Sequence, residues 1–304
     1  MYNLKHRILL DKKTTKFFSV FVNQVGTECN FTTKDSWTIL SPIEQSIKKK
    51  IEKVGTPLKD WNINIYRGIL TGYNKAFIID GITKDKLINE DAKSAEIIRP
   101  ILRGRDIKRY SYEFADLYLI TTFPSLKIDI EEYPAVKAHL LSFGYDRLKQ
   151  TGEKGARKKT NNKWFETQDS IAYWEDFNRH KIAWASVGET FYSCVDPGLF
   201  LLDTNYFFSA DSPEYLLGIL NSKLITYWIN SEDTPIGSGG AYRHYKYNLE
   251  RLPIPRNEKS VIVKLVKKLL DKIDKNVLRE IDLIVYSLYG LTEIEIDFIE
   301  NMNI

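Results

Sequence analysis

The sequence predicts an α+β fold, a mixed α/β body of short strands and hairpins followed by a C-terminal helical tail. Three observations point there. Short runs rich in β-branched and aromatic residues, such as "LYLITTF" and "KIAWASV", recur through the first two thirds of the chain, bounded by turn residues. Capped segments with apolar residues every three or four positions alternate with them. From Asn257 onward the string "EKSVIVKLVKKLLDKIDKNVLREIDLIVYSLYGL" carries only the helical period.

Taken in order, residues 1–36 read as a strand and linker, with "KFFSVFVNQV" extended and "GTECN" a polar turn. Ser41 to Val54 reads as a helix. Ser41 caps it, Pro42 occupies its first turn, Ile43, Ile47 and Ile51 form its stripe, and Gly55 with Pro57 stops it. "WNINIYRGI" and "KAFIID" alternate like two strands of a hairpin, with Gly68 and Gly72 turning the chain and Tyr73, Asn74 and Lys75 at the tip. "YPAVKAHLLSF" is helical after its proline, and "KIAWASV", "FYSCVD" and "LFLLDTNYFFSA" are three further strands. "SPEYLLGILNSKLITYWIN" reads as one amphipathic helix capped by Ser212, with Pro213 at its first position. Residues 231–248 read as a glycine-rich loop. The tail helix breaks near Asn276 and ends at Gly290, and "TEIE" places a capping box at Thr292 and Glu295 before a last short helix. Three parts follow: 1–36, a body over 37–256, and a tail over 257–304.

Composition excludes several classes. A net charge of +4 is far from a histone-like polycation. Cys29 and Cys194 stand far apart without CxxC spacing, as expected in a reducing cytoplasm. His6, His139, His180 and His244 form no ligating pattern, so no metal is expected. No apolar run approaches the ~20 residues needed to span a bilayer, so no membrane is expected either. The glycine pair fails as a phosphate cradle, because Tyr73 and Asn74 follow Gly72 where Lys and Ser or Thr are required. "GSGG" at 237–240 lacks the strand and trailing acid of a dinucleotide site. No Asn/Asp-Pro-Pro-Tyr string is present to hold a flipped base for methylation. We therefore expect no catalytic residue and no cofactor in this chain.

The positive charge is concentrated. "KQTGEKGARKKTNNK", Lys149 to Lys163, holds six basic residues against the single acid Glu153, with Trp164 and Phe165 at its exit. Lysine and arginine neutralise phosphates, whereas Asn, Gln and Arg make paired hydrogen bonds to base edges. Lys149, Lys154, Arg157, Lys158, Lys159 and Lys163 are thus candidates for phosphates. Gln150, Asn161, Asn162 and Arg157 are candidates for bases in the major groove. A mobile loop of this kind orders on contact with a groove; its bland counterpart is a solvated surface loop. "LRGRDIKRY" brings Arg103, Arg105, Lys108 and Arg109 together, and "AYRHYKY" interleaves Arg243, His244 and Lys246 with tyrosines. Arg105 and Arg109 serve equally well in an internal ion pair. Asp91, Asp106 and Lys108 also loosely match a metal-dependent nuclease, two carboxylates for Mg²⁺ and a lysine.

The strings "DWNINIYRGILTGYNKAFIID", "IIRPILRGRDIKRY", "YLITT", "EYPAVKAHLLSF", "HKIAW", "EYLLGILNSKLITYWI", "LERLPIPR" and "EIDLIVYSLYGLTEIEI" occur in order. From about Trp37 to the end they resemble the C-terminal target-recognition (specificity) domain of TaqI-like adenine methyltransferases, found also in type IIG restriction–modification enzymes. The resemblance implies a module that selects a sequence in double-stranded DNA. S-adenosylmethionine then belongs to a methyltransferase catalytic domain in cis or in trans, and Mg²⁺ to any accompanying endonuclease. It also implies that Gly68 and Gly72 are turn glycines. The chain is then either a C-terminal piece of a larger enzyme or a stand-alone specificity chain. Two readings stand beside it, the nuclease above and a subunit that touches protein only. The stripe Ile262, Val266, Leu269, Ile273, Val277, Ile281, Val285 and Leu288 either packs on its own domain or docks a catalytic part or a second copy.

Overall fold

The computed structural model describes residues 40–210, 213–256 and 261–302. The strand expected in "KFFSVFVNQV" and the cap expected from Ser212 lie outside these residues. Helix α1, Pro42–Lys53, is held at its start by a capping box. Ser41 Oγ accepts from the Glu44 N–H, and Glu44 Oε2 accepts from the Ser41 N–H at 2.7 Å. Its Ile47 and Ile51 are wholly buried. Strand β1, Thr56–Pro57, then pairs antiparallel with β13, Pro253–Ile254, just before the helical tail.

The hairpin expected over 61–80 does not form. Strand β2, Tyr66–Arg67, pairs instead with β10, Asn205–Ser209. Asn74–Phe77 is a helical turn, α2, rather than strand. Strand β3, Ile78–Asp80, pairs with β5, Leu117–Ile120, which pairs in turn with β4, Ile98–Leu102. The glycines have two different reasons. Gly72 has φ +77°, a turn conformation that L side chains avoid. Gly68 makes a close approach: a Cβ there would lie 2.1 Å from the Leu202 carbonyl oxygen.

Helix α3, Gly81–Glu90, follows β3, with the Asp80 carboxylate accepting from the Thr83 N–H at its start. Helices α4, Pro134–Leu141, and α5, Tyr145–Leu148, precede β6, Lys181–Ala185, β7, Val187–Gly188, and β8, Ser193–Val195. "LFLLDTNYFFSA" divides into β9, Phe200–Leu201, parallel to β4, and β10. The helix expected over 213–230 is also two. α6, Glu214–Leu220, ends at Asn221, and Ser222 caps α7, Lys223–Glu232. The glycine-rich "loop" is a hairpin of β11, Thr234–Ile236, and β12, Ala241–Arg243, whose free edge pairs with β7. α8, Lys246–Arg251, leads to β13. The tail comprises α9, Val261–Asp271, α10, Lys275–Leu288, and α11, Glu293–Glu300, with the break and the Thr292 capping box where the sequence places them.

The sheet β2-β10-β6-β8 separates two cores. Side chains alternate across a strand, so Ile182, Trp184 and Phe208 face one core and Ala183 and Phe207 the other. Every residue of β6 is buried, as in a strand covered on both faces. The first core gathers α1, α6, α7 and the tail helices, with Ile262, Val266, Leu269, Ile281 and Val285 inside it and Ile273 exposed. The second holds α2 to α4, β3 to β5 and the aromatic cluster of Phe177, Phe200 and Phe207.

Candidate nucleic-acid interface

The basic segment is built around one buried arginine. Backbone bonds fold it on itself: the Arg157 N–H donates to Lys149 O and the Thr160 N–H to Gln150 O, both at 3.0 Å. The Arg157 side chain is 2% exposed and lies over the Phe77 ring. Its Nε donates to Leu148 O at 2.7 Å, Nη1 to Thr71 O at 2.9 Å and Glu166 O at 2.8 Å, and Nη2 to Trp164 O at 2.6 Å. Burial, aided by nearby Arg147 and opposed by Glu166, brings its pKa down to about 10, so it stays charged at neutral pH. Four carbonyls meet that charge in the interior.

Arg157 is therefore not a phosphate or base contact; it fastens the loop to the Thr71–Gly72 turn. Gln150 is excluded from base reading for the same reason. It is 5% exposed, its Nε2 donates to Lys163 O and Glu166 O, and its Oε1 accepts from Thr160 Oγ1. Asn162 is half-buried, with Nδ2 on Thr167 O and Gln168 O. The loop is thus held by hydrogen bonds among its own backbone and side chains. Lys149 lies between Asp146 and Glu153, at 3.1 and 2.9 Å.

The side chains presented outward are Lys154, Lys158, Lys159, Asn161 and Lys163, whose Nζ lies over the Phe165 ring. The Arg157 bridge brings the 71–75 turn alongside, with Asn74 and Lys75 exposed. Asn74 Oδ1 accepts from Thr71 Oγ1 at 2.6 Å. Arg147 stacks its guanidinium 4.1 Å over the Tyr73 ring, and Tyr145 is exposed beside Trp164. Sequence reasoning passed over Arg147 and Tyr145, although both stand immediately before the charge run.

A second group forms elsewhere. The β11–β12 hairpin sits on β7, which brings Arg243 to the strand beside the exposed Arg105 and half-buried Lys108. His244 is removed from the contact set. It is 4% exposed, with Nδ1 2.7 Å from Asp233 Oδ2 and Nε2 facing Gly188 O. Lys246 pairs with Glu250. Arg109 turns inward, its guanidinium donating to Asn221 O.

The three nuclease candidates have separate local partners. Asp91 accepts from the Lys93 N–H and Ser94 Oγ, Asp106 is gripped through both oxygens by Arg103, and Lys108 pairs with Glu113. Among the described residues, no group of three or more His, Cys, Asp or Glu is arranged to hold a metal, and no helix is long and apolar enough to cross a membrane.

An α+β body carrying a lysine-rich loop held by its own hydrogen bonds defines a class, a module with a basic surface segment. The family follows from comparison. The family model described as the TaqI-like C-terminal specificity domain matches residues 99–254, just over half of the chain, and the chain belongs to that family. Its fold is similar to two solved structures. One is the type IIL restriction–modification enzyme MmeI in complex with DNA, with TM-score 0.51 and 13% identity, covering 81% of this chain and 36% of that one. The other is the type IIG restriction endonuclease BpuSI, with TM-score 0.50 and 15% identity, covering 81% of this chain and 32% of that one. The chain thus spans about a third of the length of each. No curated protein matches the sequence.

Proposed function

We propose that this chain is the sequence-recognition module of a DNA adenine methyltransferase or type IIG restriction–modification enzyme. It binds double-stranded DNA and leaves the chemistry to a methyltransferase domain, in cis or in trans, that carries S-adenosylmethionine. The observation that carries this reading is the specificity-domain match, because residues 99–254 contain the whole lysine-rich loop. Lys154, Lys158, Lys159, Lys163 and Lys75 contact phosphates, and Asn161 and Asn74 are the amides placed to meet base edges. The MmeI structure was determined with DNA bound, which supports the same role for a related fold.

The test is a salt titration of duplex binding by the chain. With roughly five phosphate contacts, affinity falls about 500-fold between 50 and 200 mM salt. A chain that fails to bind duplex DNA even at 50 mM salt overturns the reading. So does binding that salt leaves unchanged.

A further inference from the structure

The hairpin β11–β12 was not legible as a hairpin in the sequence, and nothing in the locked loop requires it. Its construction is that of a rigid probe. All residues from Thr234 to Gly240 are exposed, and the space around Gly237, Gly239 and Gly240 is open for 4 Å where a Cβ would stand. The base, by contrast, is fixed. Asp233 and His244, the residues flanking the two strands, are both buried and joined at 2.7 Å. Asp233 Oδ1 also accepts from the Tyr245 N–H and from Asn248 Nδ2, and the His244 N–H donates to Ser186 O. A projecting tip on a clamped base keeps its orientation without burying itself.

The register decides what the probe presents. Thr234, Arg243 and Val187 lie opposite one another across the three strands, and Ile236 lies opposite Ala241. Alternation puts these five on one face and Pro235 and Tyr242 on the other. Ile236 and Val187 are 37% and 44% exposed, and Arg243 and Thr234 are exposed with them. The face continues into a cleft of about 270 Å³ lined by Arg105, Lys108, Val187, Glu189 and Phe191. Apolar and methyl-bearing side chains thus lie between cations.

We infer that this ribbon is a second DNA-reading element, which enters the major groove with Ile236, Thr234 and Arg243 toward the bases and Arg105 and Lys108 toward the flanking phosphates. The inference rests on the proposed DNA-binding function. A two-stranded ribbon fits the major groove, about 12 Å wide, and a glycine tip keeps it thin. Arginine suits guanine O6 and N7, and aliphatic or threonine methyls suit the thymine methyl. The surrounding cations complement the phosphate backbone.

The test is selection from a random duplex pool with the wild-type chain and with the Ile236→Ala, Arg243→Ala double variant. Both side chains are exposed, so the variant should melt at the wild-type temperature. The expected result is that the variant enriches the wild-type site with one contiguous block of base pairs relaxed. Its affinity for the wild-type site should drop about tenfold or more. An unchanged consensus overturns the inference, whether or not affinity falls, because the ribbon then reads no bases. A wild-type chain that binds duplex DNA but enriches no sequence overturns it too, while leaving DNA binding intact. The DNA-binding function itself is overturned by the salt titration, through failure to bind any duplex at low salt or binding that salt leaves unchanged.

Discussion

Arg157, Lys158 and Lys159 are neighbours of like charge, and the structure buries the first and exposes the other two. Arg157→Ala removes a donor from four carbonyls; Thr71 O keeps the Gln168 N–H and Glu166 O keeps Gln150 Nε2, while Leu148 O and Trp164 O lose the bond that Arg157 gives them. We expect a loss of about 3 kcal/mol or more, read as a lower urea midpoint. Lysine at 157 should not restore it, since one ammonium cannot span that fork. Lys158→Ala with Lys159→Ala should unfold like the wild type, yet lower the slope of log affinity against log salt by about 2. Asp282 gives a residue-scale pH prediction. Burial pushes its carboxyl up to about 6, against the Lys223 N–H, Arg109 and Lys223, which favour the charge. The folded state therefore holds this proton more tightly than the unfolded chain, and Asp282 costs stability as pH rises from about 4 to 6. Asp282→Asn keeps an acceptor for the Lys223 N–H and removes the charge. It should stabilise the protein by about 1–2 kcal/mol at pH 7, a gain that vanishes below about pH 4.

At the scale of elements, the helix signals are local and the strand partners are not. Ser41 and Thr292 cap within their own turns, so the sequence places them where they can be recognised, whereas Ser222 caps α7 inside a run that reads as one continuous helix. Tyr66–Arg67 finds its partner near residue 206, beyond any local pattern, and the nearer candidate lost. Glu295 shows how a local cap acquires a distant role. It closes the box with Thr292, while its oxygens also accept from Lys50 Nζ at 2.6 Å and Ser46 Oγ at 2.7 Å, tying α11 to α1. Burial alone would raise its pKa; Lys50, the Thr292 N–H and Ser46 outweigh that and bring it down to about 2. A depressed carboxyl contributes stability above its unfolded value, lost as pH falls from about 4.5 toward 2. Glu295→Gln keeps the cap but not the charge. We expect it to cost about 1–2 kcal/mol at pH 7 and nothing at pH 2, measured by chemical denaturation at both.

For the whole molecule, the decisive feature is the sheet shared by two cores. Phe207 and Phe208 are adjacent in sequence and pack on opposite sides of it, so neither core can lose its wall alone. Calorimetry should therefore show one cooperative transition. Phe207→Ala on one side should cost about 3–5 kcal/mol and Val266→Ala on the other about 2 kcal/mol, both shifting that same transition. Two separate transitions, each sensitive to one substitution, would contradict the shared wall. The tail helices belong to this arrangement, since Ile262, Val266 and Ile281 lie in the core with α1, α6 and α7.

By itself the sequence determined the mixed fold class, the capped helices, the family and the presence of a lysine-rich loop between Lys149 and Lys163. Each of these is written in neighbouring residues. Tertiary structure alone decided which of the candidate polar side chains face outward. Arg157 is withdrawn by carbonyls as distant as Thr71, His244 by Asp233, and Gln150 by the turn at Glu166. A cation's availability depends on whether the folded backbone offers it acceptors, and long-range contacts set that.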